Sequence, residues 1–507
     1  MSESRLPSSI EGHSIHDQPA HQNGCPVDPI EHAKAEKKLV RKIDFRLLPI
    51  MLITYGLQYY DKNTLSTAIL YGMLDDLDLT ETKNGVTYLT RYSTAAAAFY
   101  YGYIVAVLPM GLIFTRFPLA KTAFFFVLIW GIICILTVVV HSYRGFVVQR
   151  VFLGLAESAV SPAFVAITAL WWKPQEQAKR LGIYYSSTGI FSMFTAIVNI
   201  GWGKTGGSHP WKSMYYFGGS FTIFWAILIY FIMPDSPLRP GRFFTEREKA
   251  ILKRRFDEKS LWTISTAYQS LSTHRSVFGA KIINSWGYDS IRSTALMIPG
   301  GAMTVVTIWI FAYFADRYKN IRTILLSIST IPVIVGCLVV WQAPWHPRVG
   351  PLIGYYLVAA FGAPYVLLLS LATANTAGAT KKGITTSAIF VGYVTGNIIS
   401  SYLVFTQEKP IKYRSTWISV IVAMVFASCA SLLLRYIYIK ENKRRDALLD
   451  SSPSSSSRCD EPQSSQNDAN DREKFEGTAI DGVPGLGDGM VYEDKTDKER
   501  MEFIYTY

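Results

Sequence analysis

Residues 122–140 read TAFFFVLIWGIICILTVVV, a stretch with no charged side chain and apolar groups on nearly every face. A helix rises about 1.5 Å per residue and the hydrocarbon core of a bilayer is about 30 Å thick, so this length crosses a membrane once. Ten further stretches match it: Leu47–Tyr71, Thr94–Phe114, Phe146–Trp172, Gly182–Gly201, Met214–Met233, Thr294–Phe314, Thr323–Trp341, Pro351–Thr373, Thr385–Phe405 and Trp417–Ile439. They are too long and too evenly apolar for the alternating strands of a barrel, and only helices satisfy their own backbone groups in hydrocarbon. The chain therefore reads as an all-α polytopic membrane protein. Its composition agrees, with 50% hydrophobic and only 17% charged residues.

The formal charge of +12 has its cause in the loops, because cytoplasmic loops collect Lys and Arg. Lys37, Lys38, Arg41, Lys42 and Arg46 precede the first span, Arg116 and Lys121 follow the second, Lys173, Lys179 and Arg180 follow the fourth, and a run from Arg239 to Arg255 follows the sixth. This places the N-terminus in the cytoplasm and removes any need for a nucleic-acid partner. The five cysteines, at 25, 134, 337, 429 and 459, show no CxxC spacing, so no metal site or disulfide framework is expected. There is no GxxxxGK[ST] loop for ATP, and no cytoplasmic segment is long enough to fold a catalytic domain. The protein is expected to be neither an enzyme nor a cofactor carrier.

In the second half, Arg317, Lys319 and Arg322, then Lys381 and Lys382, then Lys440, Lys443, Arg444 and Arg445 are also cytoplasmic by the same rule. Parity then demands one more crossing between residues 256 and 290. The candidate, Leu261–Trp286, reads LWTISTAYQSLSTHRSVFGAKIINSW. A central Arg or Lys costs about 2.5–3.5 kcal/mol on insertion, so with Arg275 and Lys281 this segment does not insert unaided. The organisation is thus a disordered cytoplasmic tail over 1–44, a six-helix half over 45–234, a cytoplasmic linker with a defective seventh span over 235–290, spans eight to twelve over 291–439, and a Ser-rich, then acidic, disordered cytoplasmic tail over 440–507.

Two halves of six spans joined by a basic linker are the layout of the major facilitator superfamily. The stretches LQYYDKNTLSTA (57–68), YYGYIVAVLP (100–109), RVFLGLAESAVSPAF (150–164), MPDSPLRPGRFFTEREK (233–249), YFADRYKNIR (313–322), NTAGATKKG (375–383), AIFVGYVTGNIIS (388–400) and YEDKTDKERMEFIY (492–505) together resemble the fungal allantoate permease family of anion:cation symporters. Two departures stand out. Thr115 replaces the usual Asp of the loop after span two, and the family's seventh span is missing its first part, which implies an internal deletion or a mis-spliced gene.

Charges inside spans are functional candidates because hydrocarbon makes them expensive. Asp61 and Lys62 lie in span one. Lys62 supplies the cation that a carboxylate substrate needs, and Asp61 keeps the empty site near neutrality or couples protons. Arg150 and Glu157 are seven residues apart on span four, two turns, and so share a face. Arg150 is a substrate fork, and Glu157 is the proton-coupling carboxylate by resemblance to related organic-anion symporters. The competing reading makes each a static interhelical contact. Asn375, Asn397 and Tyr393 are weaker substrate candidates, since amides between spans more often join helices. The resemblance assigns the conformational motif to Asp316, Arg317 and Arg116. Gly102, Gly111, Gly154, Gly189 and Gly392 read as helix contact points, and Pro109, Pro162, Pro299 and Pro364 as kinks.

Span five has no Gly-Pro pair of the kind exporters carry, which favours uptake. What the resemblance implies is proton-coupled import of a small organic anion such as allantoate, ureidosuccinate or nicotinate, by a monomer in the plasma membrane, with protons and the lipid bilayer as its other partners. A secondary-metabolite exporter and an inactive carrier remain the alternatives.

Overall fold

The computed structural model describes residues 29–83, 86–205, 207–234, 244–257, 272–318, 320–344, 348–375, 379–403 and 406–450. The first half runs through α1 (Pro29–Ala68), a short α2 (Met73–Asp76), a hairpin of β1 (Glu81–Lys83) and β2 (Val86–Tyr88), α3 (Thr90–Arg116), α4 (Leu119–Leu136), α5 (Tyr143–Glu157), α6 (Val160–Trp171), α7 (Pro174–Tyr185), α8 (Ser187–Lys204) and α9 (Pro210–Ile232). The connecting region holds α10 (Glu246–Asp257) and α11 (Ser272–Ser285). The second half holds α12 (Ser290–Ala295), α13 (Ile298–Arg317), α14 (Arg322–Gln342), α15 (Val349–Val358), α16 (Gly362–Ala374), α17 (Ala379–Ser401) and α18 (Arg414–Asp450). Among the described residues, eight helical stretches are long and apolar enough to cross a bilayer. The three other apolar stretches are also helical, as α1, α3 and α17.

The molecule is apolar outside and polar at its centre. Val105, Ile197, Phe231, Trp309 and Phe426 are all more than half exposed, which water would punish as an aggregating surface but which matches lipid tails. By contrast Thr54, Gln58, Asp61, Asn63, Thr64, Ser66 and Thr67 form a seam along α1, each no more than 2% exposed.

Several spans are broken where proline enters. Pro162 sits in the first turn of α6, Pro299 in that of α13 and Pro364 in that of α16, positions where a missing N–H and a fixed φ are tolerated. Pro109 alone of the four lies inside a continuous helix, α3.

Within the first half α3 packs on α5 and α4 on α9, and within the second half α14 packs on α15 and α18. The halves meet where α3 packs on α17, α8 on α13, and α7 on α13 and α16. Glycines set these distances. A Cβ on Gly102 would fall on the carbonyl of Val151, and one on Gly154 on the carbonyl of Phe99. A Cβ on Gly301 would come 2.7 Å from the carbonyl oxygen of Gly189 across the α8–α13 seam. Gly392 faces open space, so the expectation of a contact there fails.

Three boundaries differ from the sequence reading. Helix α1 begins at Pro29, inside the expected disordered tail, because AEKKLVRKIDFRLL hides an amphipathic repeat that buries Leu39, Val40, Ile43 and Leu47. Helix α18 continues to Asp450, past the expected end of the bundle, with Tyr438, Asn442 and Arg445 buried on one side. In the connecting region, α11 packs on α1, α12 and α17, with Ala280 and Ile283 fully buried, so this part belongs to the bundle. The rest of the suspect segment, 258–271, including Leu261 and Gln269, lies outside the described residues.

Outside the spans, Lys42 of α1 donates to both oxygens of Glu248 on α10, at 2.7 and 3.0 Å. Burial pushes the Glu248 carboxyl up, but the Lys42 ammonium and the groups of Thr245 outweigh it and hold the carboxyl below its ordinary value. A depressed folded-state value means that this contact is fully formed above about pH 4.3 and is lost as pH falls through the lowered value. The hydrogen-exchange protection factors of residues 246–257, which remove the intrinsic pH dependence of exchange, should therefore stay constant from neutrality down to about pH 5 and fall only below about pH 4.3. For the helix seams, Gly154→Leu should cost about 1–3 kcal/mol by overpacking. Gly392→Ala should cost nothing measurable, as read by thermal stability of the detergent-purified protein.

Candidate transport site

Helix α5 stops at Glu157, and a turn over Ser158 and Ala159 precedes α6. Pro162 has no N–H to return to the preceding turn, which favours the break. The Glu157 carbonyl, freed from its helical partner, accepts from Gln58 Nε2 of α1 at 3.3 Å. This stitches the break to the polar seam of α1 and brings the Glu157 side chain against it.

Asp61 and Lys62 are adjacent on a helix and so point about 100° apart. Lys62 meets α5 and Asp61 meets α4. The Lys62 ammonium lies 2.6 Å from Oε1 of Glu157 and 5.3 Å from the centre of the Phe99 ring. Glu157 is fully buried, and neither of its oxygens accepts a well-formed hydrogen bond among the described residues. Asp61 accepts from the Trp130 indole N–H at 3.3 Å and from the Cys134 thiol at 3.5 Å, both on α4. Arg150 is in electrostatic range of Asp61, donates to the Tyr215 hydroxyl of α9 at 3.2 Å and stacks on Phe146 at 5.0 Å. Its Nε has no partner among the described residues. The shared face of Arg150 and Glu157 is thus real, and it is matched crosswise by the two charges of α1.

The second half adds Tyr393 of α17, whose ring lies 6.4 Å from those of both Tyr100 and Tyr103 and whose hydroxyl is in electrostatic range of Lys62. Asn397 is buried and gives its amide to the Tyr393 carbonyl at 2.7 Å, within its own helix. Asn375 caps the C-terminus of α16. It stands ten residues beyond Tyr365, roughly 15 Å along the helix, away from the charges.

Asp316 and Arg317 are exposed at the end of α13, with Arg317 over the Tyr318 ring at 5.9 Å. The Asp316 charge acts on Arg322, which is buried at the start of α14 and reaches the Ser370 carbonyl at 3.5 Å. Arg116 is the last residue of α3, and its side chain lies outside the described part of the structure.

The residues missed in the sequence are Gln58, Phe99, Trp130, Tyr55 and Tyr365. For Gln58 a signal existed, since a polar residue one helical turn from Lys62 in an apolar span is itself unusual. For the aromatics none did.

Helical halves packed around buried charges define a secondary transporter. The sequence profile described as Major Facilitator Superfamily matches residues 51–401, and the chain belongs to that superfamily. An uncharacterized transporter of Schizosaccharomyces pombe is 31% identical over 95% of this chain and 88% of its own length. The allantoate permease of Saccharomyces cerevisiae is 28% identical over 93% of this chain and 86% of its own. The same yeast's thiamine pathway transporter is 25% identical, covering 81% of each chain. Among solved structures, the proton:xylose symporter XylE is similar in fold, with a TM-score of 0.57 at 13% identity, covering 76% of this chain and 94% of that one. The chain is a multi-pass membrane transporter and not an enzyme.

Removing one member of a buried ion pair strands the other, at about 3–5 kcal/mol. Lys62→Met or Glu157→Gln alone should therefore lower thermal stability markedly. The double variant should recover most of the stability while transport stays abolished, as read by thermal unfolding beside an uptake assay.

Proposed function

We propose that the chain imports a small organic anion together with a proton. The observation that carries this reading is the charge count of the buried site. Lys62 and Arg150 supply two positive charges, and Asp61 and Glu157 two negative ones, all within the first half, with Asp61, Arg150 and Glu157 buried and the Lys62 side chain 13% exposed. Fully ionised, the set is neutral. A monoanion entering it leaves one uncompensated negative charge, which a low-dielectric site does not hold. Protonation of one carboxylate restores neutrality.

Geometry favours Glu157 as that carboxylate. The arriving substrate carboxylate competes for the Lys62 ammonium, and Glu157, whose oxygens have no well-formed hydrogen bond to fall back on among the described residues, takes the proton when its cation is drawn away. Asp61 keeps two donors and the nearby charge of Arg150 throughout, so it answers to Arg150 rather than to substrate. Release of substrate inward returns Lys62 to Glu157 and expels the proton. Asn397, with its amide bonded within α17, and Asn375, at a helix end, stand outside this exchange.

One relative's name, allantoate permease, supports a small carboxylate as cargo, and allantoate, ureidosuccinate and nicotinate are the first substrates to try. The monomer is the transporting unit, and the plasma membrane its place.

A second reading, a carrier that binds without transporting, is favoured by α11. The sequence of the expected seventh span carries Arg275 and Lys281, each of which makes unaided insertion costly, by about 2.5–3.5 kcal/mol at a span centre. Full-length cDNA across the codons for Asp257 to Trp286 separates the cases. An inserted apolar segment restores the importer in full, whereas an unchanged sequence gives the second reading the lead. With the confirmed chain in proteoliposomes, uptake of labelled allantoate or nicotinate should rise as the outer pH is lowered and vanish when a protonophore collapses the gradient. Uptake indifferent to both would remove proton coupling.

A further inference from the structure

Resting on the anion-import reading, we infer that tyrosines from both halves form the subsite for the body of the anion, and that the transporter selects carboxylates with a flat body, an aromatic ring or a ureido plane, over puckered ones.

The rings make a continuous wall across the meeting surface. Tyr55 of α1 lies 5.3 Å from Tyr185 of α7, which lies 4.6 Å from Tyr365 of α16. Tyr365 lies 6.2 Å from Tyr393 of α17, and Tyr393 lies 6.4 Å from Tyr103 of α3. The wall thus crosses between the halves twice. Tyr55 is seven residues before Lys62, about 10 Å toward the cytoplasm, so the wall begins below the ammonium and closes beside it at Tyr103 and Tyr393. A carboxylate held at Lys62 lays the rest of its molecule along these rings.

Phenols are an unusual choice for a seal. Leucines would close the same gap with nothing to satisfy, whereas each buried hydroxyl needs a partner. Tyr103 is 1% exposed, and its hydroxyl completes no hydrogen bond among the described residues, its polar neighbour Ser161 being turned to Gln58. Flat faces with polar tips complement a flat molecule bearing nitrogen or oxygen at its edge.

The test is competition against uptake of labelled nicotinate in proteoliposomes, with benzoate and cyclohexanecarboxylate as size-matched flat and puckered competitors. Benzoate should compete more strongly on the order of three- to tenfold, the range that one or two ring contacts provide. Tyr365→Phe and Tyr393→Phe, which keep the ring faces, should preserve that ratio, and Tyr365→Leu with Tyr393→Leu should bring it near one. Equal competition by the two acids in the wild-type protein overturns the inference and leaves anion import standing. A ratio that survives the double leucine variant overturns it as well, by moving selection elsewhere. No uptake of nicotinate or allantoate at any pH overturns the import reading itself, and this inference with it. The wild-type ratio alone decides the case if the leucine variant does not fold, which size-exclusion of the purified protein reports.

Discussion

A charge inside a hydrocarbon slab has to find its partner within the protein, because nothing beyond the helix surface can solvate it. Much of the first half's interior follows from that constraint. Four ionisable groups sit on two helices, α1 and α5, and the surrounding polar groups give each of them a neighbour. Gln58 ties the break after Glu157 to α1, Trp130 and Cys134 tie Asp61 to α4, and Tyr215 ties Arg150 to α9. The exposed face has no comparable requirement, and its side chains are simply apolar.

The same constraint explains why glycine recurs at the seams. Helices in lipid gain little from burying apolar surface against one another, so association depends on close van der Waals contact. Gly102 and Gly154 let α3 and α5 come close enough that a Cβ would meet backbone, which holds Phe99 over Lys62 and Glu157 opposite it. Gly189 and Gly301 do the same between halves. Met193 and Val305 pack into the room that these two glycines leave.

Most of the fold is legible in the sequence because water does not tolerate so many uninterrupted apolar stretches of bilayer length, and because loop charges fix which way each one runs. The amphipathic start of α1 is not, since its apolar positions at 39, 40, 43 and 47 are diluted by lysines and arginines that draw attention to themselves. The four charges stand out for the reason they are costly. Which cation serves which carboxylate does not, because Arg150 and Glu157 are separated by about 10 Å along their helix while Asp61 and Lys62 are neighbours, and only the tertiary rotation of α1 decides the crosswise match. The tyrosine wall is only partly legible at that level, where Tyr393 is a candidate and Tyr55 and Tyr365 are not. With 30 tyrosines in the chain, those at Tyr55 and Tyr365 look no different from the ones that line membrane interfaces.

The location of the charges also bears on the expected seventh span. All four lie on α1 and α5, whereas α11 touches α1 near Ser66, where the Ala280 N–H donates to the Ser66 hydroxyl at 3.2 Å, one turn beyond Lys62. On the proposed reading a fault in α11 would leave the Lys62–Glu157 pair in place, since α11 meets α1 a turn beyond it. The same reading gives the ammonium and the carboxylate to the first half and Tyr365 and Tyr393 to the second, so such a fault would remove movement before it removed recognition.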